Sequence, residues 1–396
     1  MLFSKFYKTN KKTISIVSSI LLISGSVCLA SEEKEGEVVG LCSSSLPLVS
    51  ACEPEKTSYV DYPTYFTHPK AGPMFVPKLT VGSFLAEDAL RRINDWQTGP
   101  RFFRYAVAPE EKINADAMCR NADEIFRKNH PRFTCSPDVL KRLENPRIPL
   151  VSHTIWLTNA EKPRELTDQY LDWYKASVQR NLKENGWRHC FWIQDESFLP
   201  ETLKALGSDV EVKLISRDLP DDFSLKKHFY RELGKKKYGK ASDILRCVIL
   251  DYYGGVYRDV DLEFLKPLSA LNYGYDLYVG MEHHCGYPGN AFIASRAGHP
   301  VIKRMLEILD RNFDPERAPT YIRGTKFLDW NGPMWTICQT GPVVLGVALA
   351  TAKTNPNDIN IVFPPQVLLG HGQDYEALTH HGYTGSWMST TFGSSG

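Results

Sequence analysis

The stretch that decides the fold is residues 240–265, with the sequence KASDILRCVILDYYGGVYRDVDLEFL. In its first half the apolar residues recur at steps of three and four, which predicts a helix with one buried stripe. The residues of this stripe are Ala241, Ile244, Leu245, Val248, Ile249 and Tyr252. Gly254 and Gly255 predict the end of that helix, because glycine accepts the left-handed backbone conformation found at helix ends. Cys247 is expected to be a small core residue on this helix.

The second half of the stretch has the alternation of a strand. Tyr257, Asp259, Asp261 and Glu263 are expected on one face of it, and the intervening apolar residues on the other. Two carboxylates at this spacing repel each other unless a cation lies beside them. Hard oxygen ligands of this kind suit Mg²⁺ or Mn²⁺, which can in turn hold a diphosphate.

Outside this stretch, strand and helix patterns alternate along the chain. Residues 148–157, 187–193 and 210–215 are predicted as strands, and residues 162–183 as an amphipathic helix. The alternation favours an α/β fold with a mostly parallel, helix-covered sheet. In such sheets the ligand binds at the carboxyl ends of the strands.

An Asp-x-Asp pair alone is a weak signal, but its context here is specific. ASDILR followed by GGVYRDVD resembles the sugar-binding signature of glycosyltransferase family 32 and its relatives, the catalytic domains of large clostridial toxins. The resemblance covers roughly residues 148–388. Four further motifs carry it: Ile155-Trp156, GNAFIASRAGHP at 289–300, TGP at 340–342 and HHGYTGSW at 380–387.

The resemblance implies a GT-A (Rossmann-like) domain, a nucleotide-sugar donor, Mn²⁺ or Mg²⁺, and retention of configuration at the anomeric carbon. It implies that Trp156 stacks on the nucleotide base. Ser242, Asp243 and Arg246 would hold the donor sugar, with Arg246 also near the diphosphate. Asn290 would contact donor or acceptor, or would only form a turn.

For the metal, the resemblance implies that Tyr257 and Asp259 contact the ribose and, through water, the ion. Asp261 would ligate the ion directly. His381 or Ser386 would complete the coordination, and Trp387 would close over the donor.

Simpler interpretations stay open for several of these residues. Trp156 could be part of the core, and Asp243 and Arg246 could merely pair along their helix. Arg258 departs from the family pattern and is expected to face away from the metal, toward solvent. The lysine-rich run at 234–240 is either a solvated loop, or a mobile lid or acceptor-recognition patch.

The N-terminal part has a different organisation. Residues 1–30 have the layout of a cleavable secretory signal, with a single-pass type II anchor as the alternative, so we expect an exported protein. Residues 31–82 are predicted as a linker, 83–147 as a helical extension and 148–396 as the catalytic domain.

Composition excludes other classes of protein. The chain has 396 residues and a formal net charge of +1, which gives no general attraction to nucleic acid. Its nine cysteines show no zinc-site spacing. The expected partners are a UDP- or GDP-sugar and a glycan, lipid or protein acceptor.

The sequence thus predicts a metal-dependent retaining glycosyltransferase. One alternative is a phosphatase with Asp259 as nucleophile and Asp261 as acid/base. However, Glu263 stands where that chemistry normally has Thr or Val. A second alternative is an exported module that binds carbohydrate or metal without turnover. Nucleotide, donor sugar, acceptor and linkage are not fixed by the sequence.

Overall fold

The computed structural model describes residues 65–77, 108–129, 136–182, 184, 186–282, 287–324, 333–365, 367–369 and 377–384. All of these lie in one compact unit, Tyr62–Gly396. The predicted signal segment, most of the predicted linker, and both Ser386 and Trp387 lie outside the described residues. No helix in the described ranges combines the length and the apolar character needed to cross a bilayer.

The described residues form eleven strands and twelve α-helices. The strands are β1 (Tyr65–His68), β2 (Gly72–Phe75), β3 (Val151–Ile155), β4 (Arg188–Ile193), β5 (Glu211–Leu214), β6 (Gly255–Arg258), β7 (Leu262–Phe264), β8 (Leu277–Met281), β9 (Pro288–Ser295), β10 (Asn360–Phe363) and β11 (Thr379–His381). The helices are α1 (Ala115–Asn129), α2 (Pro137–Leu140), α3 (Asp168–Asn181), α4 (Pro200–Leu206), α5 (Ile215–Asp218), α6 (Lys226–Gly234), α7 (Tyr238–Tyr253), α8 (Ser269–Gly274), α9 (Pro300–Phe313), α10 (Thr320–Gly324), α11 (Pro333–Gln339) and α12 (Pro342–Thr351).

The centre of the molecule is a seven-stranded sheet with the order β10-β8-β9-β6-β3-β4-β5. The strands run parallel except β9, which is antiparallel to both of its neighbours, β6 and β8. A separate two-stranded sheet pairs β11 with β7. The predicted α/β fold with a mostly parallel sheet is confirmed. The predicted bounds of β3, β4 and β5 are right to within three residues, whereas α3 begins at Asp168, six residues later than predicted.

Helix α7 lies against the sheet with a nearly continuous buried run from Lys240 to Leu250. It ends where predicted, and Gly254 donates its N–H to the Leu250 carbonyl at 3.0 Å. Gly255 has φ +96°, and a Cβ there would lie 2.5 Å from the Val151 carbonyl oxygen. Only glycine therefore allows the chain to turn from α7 directly into β6. Cys247 is buried, as expected.

The N-terminal part differs from the prediction. Residues 65–75, predicted as linker, form the β1–β2 hairpin, with Met74 fully buried. Helix α1, predicted as part of a separate extension, packs against β10 and α12. Met118 and Phe126 of α1 belong to the same hydrophobic cluster as the central sheet. Burial of these apolar side chains makes the described part of the extension a layer of the main core.

Candidate active site

The candidate site lies at one edge of the central sheet. β3, β6 and β8 run in the same direction, so their carboxyl ends meet there, and the antiparallel β9 begins there. Trp156 follows β3, Asp259 follows β6, Glu282 follows β8 and Asn290 is near the start of β9. This is the edge at which open α/β sheets bind ligands.

The acidic motif is a turn rather than a strand. The predicted continuous strand from Tyr257 to Glu263 is wrong, because β6 ends at Arg258 and β7 begins at Leu262. The Leu262 N–H donates to the Asp259 carbonyl at 3.1 Å, which closes the turn. Glu263 consequently leaves the site and pairs with Arg180 at 2.7 Å.

Three side chains converge above this turn. Pairing of β11 with β7 places His381 opposite Leu262. One ligand atom each of Asp259, Asp261 and His381 then lies within 4.8 Å of the others. Two carboxylates and an imidazole suit Mn²⁺ or Mg²⁺. The Nδ1 atom of His381 is buried without a hydrogen-bond partner among the described residues. The residues therefore fit a divalent cation.

The two aspartates differ in their electrostatic surroundings. Burial acts to raise the pKa of Asp261, but hydrogen bonds with His381 and Thr384 outweigh it and lower the pKa to about 2. Burial raises the pKa of Asp259, and the charge of Arg246 offsets this only in part. Burial lowers the pKa of His381, but its hydrogen bond to Asp261 reverses the direction and raises it. Asp261 is thus the carboxylate held in its charged form, and a cation bound beside it would favour the charged form of Asp259 as well.

A second polar network begins on α7 and reaches the acidic turn. Asp243 accepts hydrogen bonds from Asn290 Nδ2 at 2.9 Å and from Thr340 Oγ1 at 2.7 Å. It also pairs with Arg246 at 2.9 Å. Arg246 in turn pairs with Asp259 at 3.3 Å and donates to the Asn290 carbonyl at 2.5 Å. Asp243 and Arg246 therefore do pair along the helix, within a network shared with the acidic turn.

The remaining predicted side chains extend this arrangement. The Tyr257 hydroxyl donates to Asp259 at 2.6 Å and lies 3.4 Å from the Ser242 hydroxyl. Arg246 stacks on the Tyr257 ring at 4.4 Å. Trp156 is half-buried at the same edge, where its indole N–H donates to the Arg164 carbonyl at 2.8 Å. The structure thus brings together all the predicted site residues that it describes, with Trp156 at the edge of the group.

Three residues at the site were not predicted. Thr340 holds Asp243, as described above, and Thr384 donates to Asp261 from its backbone N–H at 3.0 Å and its hydroxyl at 2.7 Å. Glu282 is an acidic residue beside the cluster; burial raises its pKa, while the charge of His381 and a hydrogen bond with Tyr383 oppose the rise. Both threonines lie in motifs that carry the family resemblance, TGP at 340–342 and HHGYTGSW at 380–387, and Glu282 follows a strand at the binding edge.

Arg258, predicted to reach solvent, is fully buried. Its guanidinium lies 4.3 Å from the centre of the Tyr174 ring and 5.0 Å from that of Phe264. The prediction is wrong because the side chain points into the core behind the acidic motif. There the guanidinium contacts these two rings and the backbone carbonyls of Leu262 and Tyr174.

Fold and site together define a class of protein: an α/β domain that presents a DXD acidic cluster and a buried Asp–Arg network at the binding edge of its sheet. Comparison with known proteins agrees with this. Residues 163–278 match the family described as glycosyltransferase sugar-binding region containing DXD motif. The match covers less than a third of the chain, and over that segment the predicted resemblance to DXD-containing glycosyltransferases is confirmed.

Similar proteins include a toxin, a mannosyltransferase and a glycosyltransferase of known structure. Toxin Afp18 of Yersinia ruckeri serotype O1 is 32% identical over 92 residues, which are 22% of this chain and 4% of the toxin. Inositol phosphoceramide mannosyltransferase 1 of Schizosaccharomyces pombe is 22% identical over 249 residues, 62% of this chain and 64% of that enzyme. The structure of PaToxG glycosyltransferase covers 59% of this chain and 78% of its own, at 18% identity and a TM-score of 0.40. The chain thus spans less than two thirds of the length of these two curated relatives.

Proposed function

We propose that the protein is a metal-dependent retaining glycosyltransferase that moves a sugar from a nucleotide-sugar donor to an acceptor hydroxyl. The observation that carries the proposal is the connection between two groups of residues. The cluster of Asp259, Asp261 and His381 would hold the cation, and the buried Asp243–Arg246 network beside it would hold the sugar. Arg246 belongs to both because it pairs with Asp243 and Asp259.

The roles of the residues follow from their chemistry. Asp259, Asp261 and His381 would hold Mn²⁺ or Mg²⁺, which when bound supplies positive charge for the diphosphate that leaves. Arg246 adds a fixed positive fork on the same side. Asp243 presents a buried carboxylate held by Asn290 and Thr340, an acceptor for the sugar hydroxyls.

In the proposed reaction the bond from the anomeric carbon to the diphosphate oxygen breaks, and the acceptor oxygen bonds to the same face of that carbon. The acceptor proton passes to the departing diphosphate. Trp156 would offer its indole face to the nucleotide base, and Trp387 would cover the donor. Stacking tolerates any base, so both UDP- and GDP-sugars are candidate donors.

The phosphatase alternative receives less support from the geometry. A nucleophilic Asp259 would need a free carboxylate oxygen aimed at phosphorus. Its Oδ1 accepts the Tyr257 hydroxyl at 2.6 Å and faces Arg246 at 3.3 Å, which leaves only Oδ2 for that role. Glu263, which stands where that chemistry normally has Thr or Val, pairs with Arg180 instead. A module that only binds carbohydrate would need no such connection between an acidic cluster and an arginine network.

For the acceptor, the relative that matches the greater share of this chain is named as a mannosyltransferase of inositol phosphoceramide. We therefore propose a lipid-linked acceptor first, ahead of a glycan or a protein.

Export through the N-terminal segment also stays a proposal. N-terminal sequencing of the protein recovered from its native host would test it, and an intact Met1 would contradict cleavage.

The test of the proposed activity is a donor panel. The protein is incubated with Mn²⁺ and UDP-glucose, UDP-N-acetylglucosamine or GDP-mannose, and release of nucleoside diphosphate is measured. We expect release from at least one donor and its loss in the Asp261→Asn variant. If folded protein releases nothing from any donor of a wider UDP- and GDP-sugar panel, the proposal fails.

A further inference from the structure

Arg258 lies inside the acidic motif, between the end of β6 and the turn that carries Asp259 and Asp261. Its side chain is fully buried. Within the described residues it forms no ion pair, and Glu263, which follows the turn, pairs with Arg180 instead. Burial of a charged group without a counterion costs desolvation free energy. We therefore expect an arginine at this position to have a specific structural role.

The guanidinium reaches across the turn to its far side. Nη1 donates to the Leu262 carbonyl at 2.5 Å, and Nη2 lies 3.4 Å from the Tyr174 carbonyl. Arg258, which precedes the turn, is thereby hydrogen-bonded to Leu262, which follows it. The same guanidinium connects this end of the turn to the Tyr174 carbonyl in α3. Two rings, Tyr174 and Phe264, flank the charge on its remaining sides. Burial lowers the pKa of Arg258 to about 10, so the side chain is charged at neutral pH.

Helix α3 also holds the other half of the acidic cluster. The Tyr170 hydroxyl donates to Thr384 at 2.8 Å, and the Trp173 ring contacts the His380 ring. Gly382 passes so close that a Cβ would lie 2.6 Å from Trp173. The segment with His381 and the turn with Asp259 and Asp261 therefore rest on the same helix.

We propose that Arg258 is a positioning residue that fixes the backbone of the acidic turn on α3 and so sets the separation of the metal-binding side chains. It does not touch the cluster itself. The inference deepens the proposed function and rests on it for the identity of the bound cation. A residue that orients ligands in this way typically changes metal affinity about 10- to 100-fold when replaced.

The test compares Arg258→Met, which keeps the length of the side chain and removes the donors, with Arg311→Met as the matched control. Arg311 is also largely buried and pairs with Glu111 at 2.7 Å, away from the turn. Two quantities are measured on folded protein: Mn²⁺ affinity by electron paramagnetic resonance titration, and amide hydrogen exchange of residues 259–264 without metal.

We expect Arg258→Met to weaken Mn²⁺ binding about tenfold or more. Loss of a hydrogen bond from a charged donor should also speed exchange of the Leu262 amide about tenfold or more. Arg311→Met should change neither. If Arg258→Met does not fold, Arg258→Lys is measured instead with the same expectations, because a lysine lacks the planar fork that bridges two carbonyls.

Affinity and exchange both within twofold of the wild type in a folded variant would overturn the proposal. If the wild-type protein binds no Mn²⁺, the proposed metal dependence fails. Even if no Mn²⁺ binds, the comparison of hydrogen exchange between Arg258→Met and the wild type still decides the role of Arg258. Exchange in metal-free protein depends only on how firmly the backbone of the turn is held.

Discussion

Asp243 is the side chain on which most of the sugar-side network depends. It receives hydrogen bonds from Asn290 on β9 and from Thr340 before α12, and it pairs with Arg246 on its own helix. A buried carboxylate needs such partners, because each unsatisfied oxygen carries a desolvation penalty. Burial raises its pKa, and Arg246, Thr340 and Asn290 oppose that rise.

Replacement of Thr340 by valine tests this network. The change removes a hydrogen bond to a charged group, worth about 1.5–3 kcal/mol, and should lower turnover of the donor about tenfold or more. Thr351→Val is the matched control, because that hydroxyl donates to the Val347 carbonyl and accepts from Arg304, and neither partner belongs to the Asp243 network. Equal initial rates for Thr340→Val and the wild type would show that Asp243 does not depend on this partner.

Lys240 is a second residue with a measurable consequence. It is buried one turn before Asp243, donates to Gln339 at 2.7 Å and stacks on the Trp335 ring. Burial lowers its pKa from 10.5 to about 7. Between these two pKa values the unfolded chain binds the proton more tightly than the folded chain, so this residue makes the free energy of unfolding rise with pH.

Lys240→Met should remove that pH dependence. We expect the variant to gain stability relative to the wild type at pH 6, and the difference to shrink toward pH 10. Urea unfolding of both proteins at several pH values measures it. Parallel stability curves for the two proteins would mean that the lysine is not desolvated.

Among the elements, the junction of α7 and β6 fixes the site, because it carries Asp243 and Arg246 on one side and Asp259 on the other. Its bounds were predictable from sequence, since apolar periodicity and two glycines mark them. The turn after β6 was not predictable. Alternation of residues suggests a strand, whereas the Leu262 N–H bonds back to Asp259 and the Arg258 side chain bonds forward to Leu262.

Gly255→Ala tests the junction. The new Cβ would meet the Val151 carbonyl oxygen in a left-handed backbone conformation, so we expect a loss of about 2–5 kcal/mol in unfolding free energy. Gly234→Ala is the control: that position has open space and should be neutral or gain about 0.5–1 kcal/mol. Chemical denaturation measures both, and a loss below 1 kcal/mol for Gly255→Ala would refute the steric argument.

For the whole molecule, the main difference from the sequence prediction is where the core begins. Residues that read as linker and extension contribute the hairpin and α1 to the core of the sheet. Short strands in a Pro- and Thr-rich segment carry little periodic signal, so the hairpin could not be predicted. The contact of Thr384 with the turn could not be predicted either, because the pairing of β11 with β7 is a long-range register. The position of His381 beside Asp261 was expected only from the family resemblance.

Phe126→Ala tests whether α1 belongs to the main core. Phe126 is 3% exposed, so truncation should cost about 3–5 kcal/mol of stability. Lys128→Ala, on the exposed side of the same helix, should stay within about 0.5 kcal/mol of the wild type. A helical extension that folds apart from the catalytic domain would instead leave the main unfolding transition unchanged in both variants.

The central claim is that Asp259, Asp261 and His381 hold a cation through which the nucleotide end of the donor binds. Isothermal titration of UDP and GDP into the protein, with and without Mn²⁺, tests it without knowledge of the acceptor. We predict that at least one nucleotide binds only when Mn²⁺ is present, and that Asp261→Asn abolishes this binding while its melting temperature stays close to that of the wild type. Binding of equal affinity in metal-free protein, or in Asp261→Asn, would contradict the account.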